Sequence, residues 1–331
     1  MPTADHHRPG GGFRNPWPSA QMHGFLDFLK WTLIERRRNP RRPDPDPGTF
    51  TLADPRFVVP RAAPERLTIT WVGHTSFLVQ IAGLNVLVDP VWSKRASPVQ
   101  FAGPRRWVPP GIEFDRLPPI DVVVLSHDHY DHLDAGTISR IAERFPAVGW
   151  YAPLGIGAFL RRHGAREVTE RDWWEESSIG SLRLTCVPAQ HFSGRTLGSR
   201  NDTLWCGWTL RSPHHGIFFA GDTALHPDFG VIAARSGPFD IAILPIGAYE
   251  PRWFMGSVHM NPDDSMQAYT QLAGAQRGRR LVLVAAHWGT FKLTDEPMDE
   301  PPTRMRELWG TSGRDSNDLW VLRHGETRMI G

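Results

Sequence analysis

Ten residues, Leu125–Asp134, read LSHDHYDHLD: three histidines and three aspartates directly behind the apolar run IDVVVL. His127, His129, Asp131 and His132 spell H-x-H-x-D-H. Alternate residues on an extended backbone point the same way, so His127 and His129 can grip one metal ion. Asp131 and His132, in the turn that follows, can face a second ion. Imidazole with carboxylate is a donor set that suits Zn²⁺. Two ions need more ligands than these four. His191 follows LRLTCVPAQ, Asp222 follows GIFFAG and His287 follows LVLVAA. Each ends an apolar run, where side chains project from a sheet edge. Asp128 and Asp134 take the modest roles of capping and support.

These residues need strands to present them. From Leu67 onward short strand-like runs recur: LTITWVG, then SFLVQIAGLNVLVDP with a hairpin expected at AGLN, then IDVVVLSH, GWYAP, SLRLTCVPAQH, TLWCGWTL, HGIFFAGD, FDIAILPIG, LVLVAAHWG and LWVLRHGE. AGTISRIAERF, GIGAFLRRHG and NPDDSMQAYTQLAG are helical candidates between them. Strands come first and then mix with helices, in two halves. That order predicts an α/β layered fold with sheets inside and helices outside.

Residues 1–65 differ from 66–331 and read as an N-terminal arm before a hydrolase-sized domain. Met1–Gly12 is polar and glycine-rich, the composition of disorder. Phe25, Leu26, Leu29 and Leu33 can share one helix face, with Trp31 and Ile34 off it. The basic, proline-rich RRRNPRRPDPDPG cannot be helix and reads as a wrapping arm. The arm offers a membrane or dimer contact.

Composition narrows the classes. Among 331 residues the net charge is +2, which gives no case for a nucleic-acid partner. Two cysteines, Cys186 and Cys206, form no C-x-x-C, so a thiolate zinc knuckle is excluded. No apolar run approaches the roughly 20 residues of a spanning helix. FLDFLKWTLIERRR is no signal peptide: Asp27 and Lys30 interrupt it, and its basic residues follow the apolar part. A cytoplasmic or peripheral-membrane protein is the expectation.

SHDHYDHLD, QH, AGDT and AAHWGTF together resemble the metallo-β-lactamase superfamily. The resemblance implies an αββα sandwich, two packed mixed β-sheets flanked by helices, with two Zn²⁺ per chain. His127, His129 and His191 would hold one zinc; Asp131, His132 and His287 the other; Asp222 would bridge them. No cysteine ligand is present, which argues against the antibiotic-hydrolysing branch. FRNPWPS, TWVGHTSFLVQ, VDPVWSKRASPVQFAGPRR, DWWEE and GPFDIAILPIGAYEPRWFM are more specific. They resemble the N-acyl-phosphatidylethanolamine-hydrolysing phospholipase D family, from about Phe13 to LRHGE.

That resemblance implies an N-acylated ethanolamine phospholipid as substrate and a homodimer as assembly. It implies attack of zinc-bound hydroxide on phosphorus, giving N-acylethanolamine and phosphatidate. Asp222 would also orient the nucleophile. Tyr130 could donate to a phosphate oxygen, and His259 could bind phosphate or protonate the leaving oxygen. His74, in GHTSF, reads as a residue that orients a ligand. The alternative is a metal-dependent lactonase resembling the ascorbate-6-phosphate lactonases, which would not need an apolar or basic N-terminal arm.

Overall fold

The computed structural model of the chain describes residues 5–330 except 19, 21, 22, 197 and 277, with the side chains of Phe25 and Pro47 left aside. Among the described residues fourteen strands form two seven-stranded sheets. The first contains β1 (Leu67–Gly73), β2 (Ser76–Ile81), β3 (Leu84–Val88), β4 (Val122–Val124), β5 (Gly149–Pro153) and β6 (Glu167–Arg171). Its outer edge is the last strand of the chain, β14 (Thr327–Ile330), so the order is β14-β1-β2-β3-β4-β5-β6. The second contains β7 (Glu176–Ile179), β8 (Leu182–Val187), β9 (Gly207–Arg211), β10 (Gly216–Phe219), β11 (Ile241–Pro245), β12 (Val282–Ala286) and β13 (Leu319–Trp320), in the order β13-β12-β11-β10-β9-β8-β7.

Both sheets follow one plan: antiparallel pairs at one end and parallel pairs at the other. This is the expected αββα sandwich. Side-chain alternation builds it. Trp71, Phe77, Val88, Val122 and Val124 face the second sheet in the main core. Their neighbours Val72, Leu78, Leu87 and Val123 face the other way, onto Ile138 and Ile141 of the Ala135–Arg144 helix. A one-residue slip would exchange the two faces, and each large apolar side chain returned to water costs about 1.5–3 kcal/mol. The AGLN hairpin forms with Ala82 and Gly83 as its two turn residues, both at positive φ (56° and 75°), the conformation that matches strand twist.

The three expected helices are present, at Ala135–Arg144, Gly157–Arg162 and Pro262–Ala275. Asp134 caps the first and Asn261 the last. The helices Phe229–Ser236 and Glu300–Thr311 and the strands β6 and β7 escaped the sequence reading. EVTER and ESSI carry few apolar side chains because each lies at an edge of its sheet, so no alternation marks them.

The N-terminal residues depart from expectation in three ways. Residues 1–4 lie outside the described residues, but residues 5–15 are folded rather than disordered. His7 pairs with Phe13 across a turn whose Gly10, Gly11 and Gly12 all have positive φ (94°, 105°, 75°). Helical structure continues from Phe25–Leu29 through a π-helical stretch, Lys30–Glu35, into Arg36–Arg38, so the first three arginines finish a helix that Asn39-Pro40 ends. The buried anchor is Trp31, 4% exposed, while Leu26 and Leu33 are 80% and 55% exposed. The wider π turns rotate the face that a regular helix would bury. Trp31 Nε1 then donates to Asp295 Oδ2 at 2.5 Å. No described helix is long and apolar enough to cross a membrane.

Candidate metal centre

The site lies where both sheets present the ends of their strands, the usual place for a ligand in a sheet with parallel strands. β4 runs out at Val124, and His127, His129, Asp131 and His132 follow. β8 leads to His191, β10 to Asp222, and β12 to His287, which turns at φ 60°. Gly221, at φ 61°, lets Asp222 come in close: a Cβ there would stand 2.7 Å from the Cβ of Ser126 and 2.8 Å from the Cys206 carbonyl oxygen.

All seven expected residues converge. His129 Nδ1 stands 2.8 Å from His127 Nε2 and 3.2 Å from His191 Nε2. Asp131 Oδ2 lies 3.5 Å from Nε2 of both His132 and His287. Asp222 Oδ2 sits between the groups, 3.1 Å from His132 Nε2, 3.0 Å from His287 Nε2, 3.9 Å from His191 Nε2 and 4.0 Å from His127 Nε2. His259 Nδ1 approaches the same oxygen at 3.9 Å.

Outer contacts aim these rings. His127 Nδ1 meets Ser126 Oγ at 2.9 Å, and His191 Nδ1 donates to the Val258 carbonyl at 2.9 Å. Asp89 Oδ2 lies 2.7 Å from His132 Nδ1, while Asp89 itself accepts from Ser126 N and Oγ at 2.7 and 2.6 Å. His74 Nε2 lies 2.9 Å from Asp131 Oδ2.

Charge in this buried nest is balanced in a telling way. Burial holds His127 well below its ordinary value, and holds His191 and His129 down to about 3 and about 4. Burial also works against His287 and His132, but Asp222 and Asp131 overcome it, lifting His287 to about 9 and His132 well above its ordinary value. Burial alone would raise Asp131 and Asp222, yet His132, His287 and, for Asp131, His74 hold both well below the usual carboxylate range. Two sequestered carboxylates thus demand positive charge beside them. Asp222 Oδ1 is buried without a hydrogen-bond partner, and the buried His132 Nε2 and His287 Nε2 meet only carboxylate oxygens, without hydrogen-bond geometry. Orphaned donor atoms around a carboxylate, in an all-imidazole-and-carboxylate set, fit metal ions. His127, His129 and His191 form one group able to hold an ion, and Asp131, His132 and His287, with His74, another.

A family model described as the Beta-lactamase superfamily domain matches residues 84–288, more than half of the chain. The chain belongs to the beta-lactamase superfamily. An uncharacterized protein of Mycobacterium tuberculosis is 42% identical over 302 residues, 89% of this chain and 77% of the relative. A Caenorhabditis elegans protein named N-acyl-phosphatidylethanolamine-hydrolyzing phospholipase D 1 is 40% identical over 253 residues, 73% of this chain and 69% of that protein. Among solved structures, a metallo hydrolase from Ignicoccus hospitalis superposes with a TM-score of 0.60 at 20% identity, covering 80% of this chain and 99% of that one, a likeness of fold. With the His/Asp clusters, these relatives make the chain a metal-dependent hydrolase of the superfamily.

One outer contact of the site, Asp89, is absent from the sequence reading, whereas His74 stands on Asp131 as expected. Asp89 is a lone aspartate before a proline, a pattern common in turns. Its signal was the one used elsewhere, a polar residue ending the apolar run LNVLV. Asp89→Asn should lower metal affinity or turnover roughly 10- to 100-fold with unchanged circular dichroism, because His132 loses the carboxylate that fixes its ring. Parallel metal titrations of the two proteins check it; equal affinity and equal turnover would remove Asp89 from the site.

Tyr130 is tied to the loop after His191: its hydroxyl donates to the Arg195 carbonyl at 2.7 Å, and the Arg195 guanidinium lies 4.0 Å over its ring. A phosphate contact from that hydroxyl would have to displace this bond. Asp128 supports the same loop, accepting from Gly194 N at 2.8 Å and Thr203 Oγ1 at 3.0 Å.

A cavity of about 470 Å³ opens on the cluster. His129, Asp131, Asp222 and His259 line its polar part. Phe28 and Trp31 of the N-terminal helical segment, with Phe192, Phe254, Met255 and Leu293, supply apolar wall. Arg252 braces the His259 side, donating to the His259 carbonyl at 3.0 Å and pairing with Asp264 at 2.7 Å.

Proposed function

We propose that this metallo-hydrolase is a zinc-dependent phosphodiesterase of the phospholipase D type, which cleaves N-acyl-phosphatidylethanolamine to N-acylethanolamine and phosphatidate at a membrane surface. The observation that carries the reading is the cavity: an apolar wall leading directly to a cluster of buried imidazoles and carboxylates. An N-acylated phospholipid has that same division, acyl chain beside phosphodiester, and burying chain contributes about 0.8 kcal/mol per CH₂. The printed name of the Caenorhabditis elegans relative supports the same substrate.

His127, His129 and His191 would hold one ion; Asp131, His132 and His287 the other; Asp222 would stand between them. When bound, two such ions would supply a nucleophile from water at neutral pH and offset the charge of the phosphodiester. His259, buried and held well below its ordinary value chiefly by burial, enters as a neutral imidazole facing the cavity. It can hydrogen-bond a phosphate oxygen or the leaving oxygen. Leu26, Leu33 and Ile34 are exposed on the segment that walls the cavity, followed by Arg37 and Arg38. Apolar and basic side chains together suit contact with an anionic lipid surface.

The test is product analysis by mass spectrometry on vesicles containing N-acyl-phosphatidylethanolamine, beside a phosphorylated-lactone assay. N-acylethanolamine and phosphatidate are the expected products. Free fatty acid would place the cut at the wrong bond, and turnover confined to the lactone would replace this reading with the lactonase one.

A further inference from the structure

A second cluster of metal-ligating side chains lies outside the hydrolytic centre. His6 Nε2 stands 2.6 Å from Asp172 Oδ1, and His7 Nε2 2.8 Å from Asp172 Oδ2. The three ligand atoms lie within 4.8 Å of one another. Adjacent side chains on an extended strand diverge. Here the chain turns at Asp5-His6 and folds back through Gly10–Gly12, so that both imidazoles converge on one carboxylate. Arg14 N donates to the His6 carbonyl at 2.8 Å, and the His6 ring stacks on Trp173 with centroids 4.1 Å apart. His6 is buried; the His7 side chain is 43% exposed.

We infer that His6, His7 and Asp172 form a further metal site, of the zinc class, that clamps the N-terminal residues to the crossover between the two sheets. Two imidazoles and a carboxylate are a zinc donor set. Ligand atoms about 3.3 Å apart surround a tetrahedral ion bound at roughly 2.0 Å, so each imidazole would part from its carboxylate oxygen by about half an ångström or slightly more. The exposed His7 side leaves the fourth position to water. Asp172 opens the turn from β6, at the edge of the first sheet, to β7, at the edge of the second. The clamp therefore holds the chain where it passes between layers.

The clamp also reaches the hydrolytic centre. Phe13 N donates to the Asn201 carbonyl at 2.8 Å. Asn15 Nδ2 donates to the His191 carbonyl at 2.8 Å, and Asn15 Oδ1 accepts from His191 N at 3.2 Å. Asn15, eight positions after His7, thus grips the backbone of His191. The clamp does not depend on which substrate the enzyme takes.

The full chain, stripped of metal and titrated with Zn²⁺ alone, tests the site beside His7→Gln and Asp172→Asn. Glutamine keeps a donor for Asp172 but is a poor zinc ligand, and the exposure of His7 makes the replacement safe for folding. Wild type is expected to bind one zinc more than either variant, and zinc is expected to slow proteolysis within residues 5–15 in wild type only. Equal zinc counts in all three proteins would overturn the site and leave an ion pair. Zinc protection that persists in His7→Gln would overturn the clamp.

Discussion

Asp222→Asn is expected to abolish turnover in a chain that still folds. One carboxylate oxygen stands within 4.0 Å of nitrogens on His127, His132, His191, His259 and His287. No other described side chain joins both ligand groups in this way. Asparagine preserves shape and one carbonyl oxygen but removes the charge that would hold two cations together, and it turns an N–H toward them. A loss of roughly a thousand-fold or more, about 4 kcal/mol of barrier, is the expected size. Circular dichroism should be unchanged, because the replacement is isosteric and a neutral side chain is easier to bury than an ion. Retention of activity within about ten-fold would remove Asp222 from the centre of the chemistry.

Chelation should have an equally large effect, and the proton balance makes it specific. In the metal-free protein Asp222 and Asp131 lift His132 above its ordinary value and His287 to about 9 against their burial, which favours a proton on each ring. Metal ions replace those protons. Stripping the enzyme should reduce turnover to background, and refilling it near pH 7 should restore turnover and release protons into a weak buffer.

The pH dependence of the metal-free form follows from the same charges. His287 is raised from 6.5 to about 9, so its stabilisation is complete below about pH 6.5 and is lost as the pH climbs through about 9. Asp131 and Asp222 are lowered, so theirs is present above about pH 3.8 and is lost on acidification. Thermal unfolding of the stripped protein should therefore show decreasing stability from pH 6.5 toward 9, and the loaded protein should lack that slope. Proton-neutral metal uptake would count against the proposed charge arrangement.

The legible part of the centre was local or repetitive. H-x-H-x-D-H packs four ligand candidates into six residues, and backbone geometry alone lets such spacing converge. His191, Asp222 and His287 were found by one rule, a polar residue ending an apolar run. Asp89 obeys the rule too, but nothing nearby in sequence distinguishes it from a turn aspartate. Its partner His132 is 43 residues away, and only the pairing of β3 with β4 brings them together. Tyr130 shows the converse: it stands among the ligand candidates in sequence, yet its hydroxyl bonds the Arg195 carbonyl, 65 residues away.

The N-terminal residues divide the same way. Their hydrophobicity was visible, but the face they bury was not, because the choice between Leu26 and Trp31 rests on Asp295, far along the chain. The glycine run read as disorder; its positive-φ turn is held by what it packs on, Trp173, Asp172 and Asn201. The layered fold and the candidates for the centre were legible in short stretches, because alternation and strand ends are local properties, and the resemblance to the superfamily supplied the grouping of the seven. The Asp89 contact, the apolar cavity and the clamp came only with the tertiary structure, because each joins side chains from segments far apart in sequence that strand pairing and sheet packing bring together.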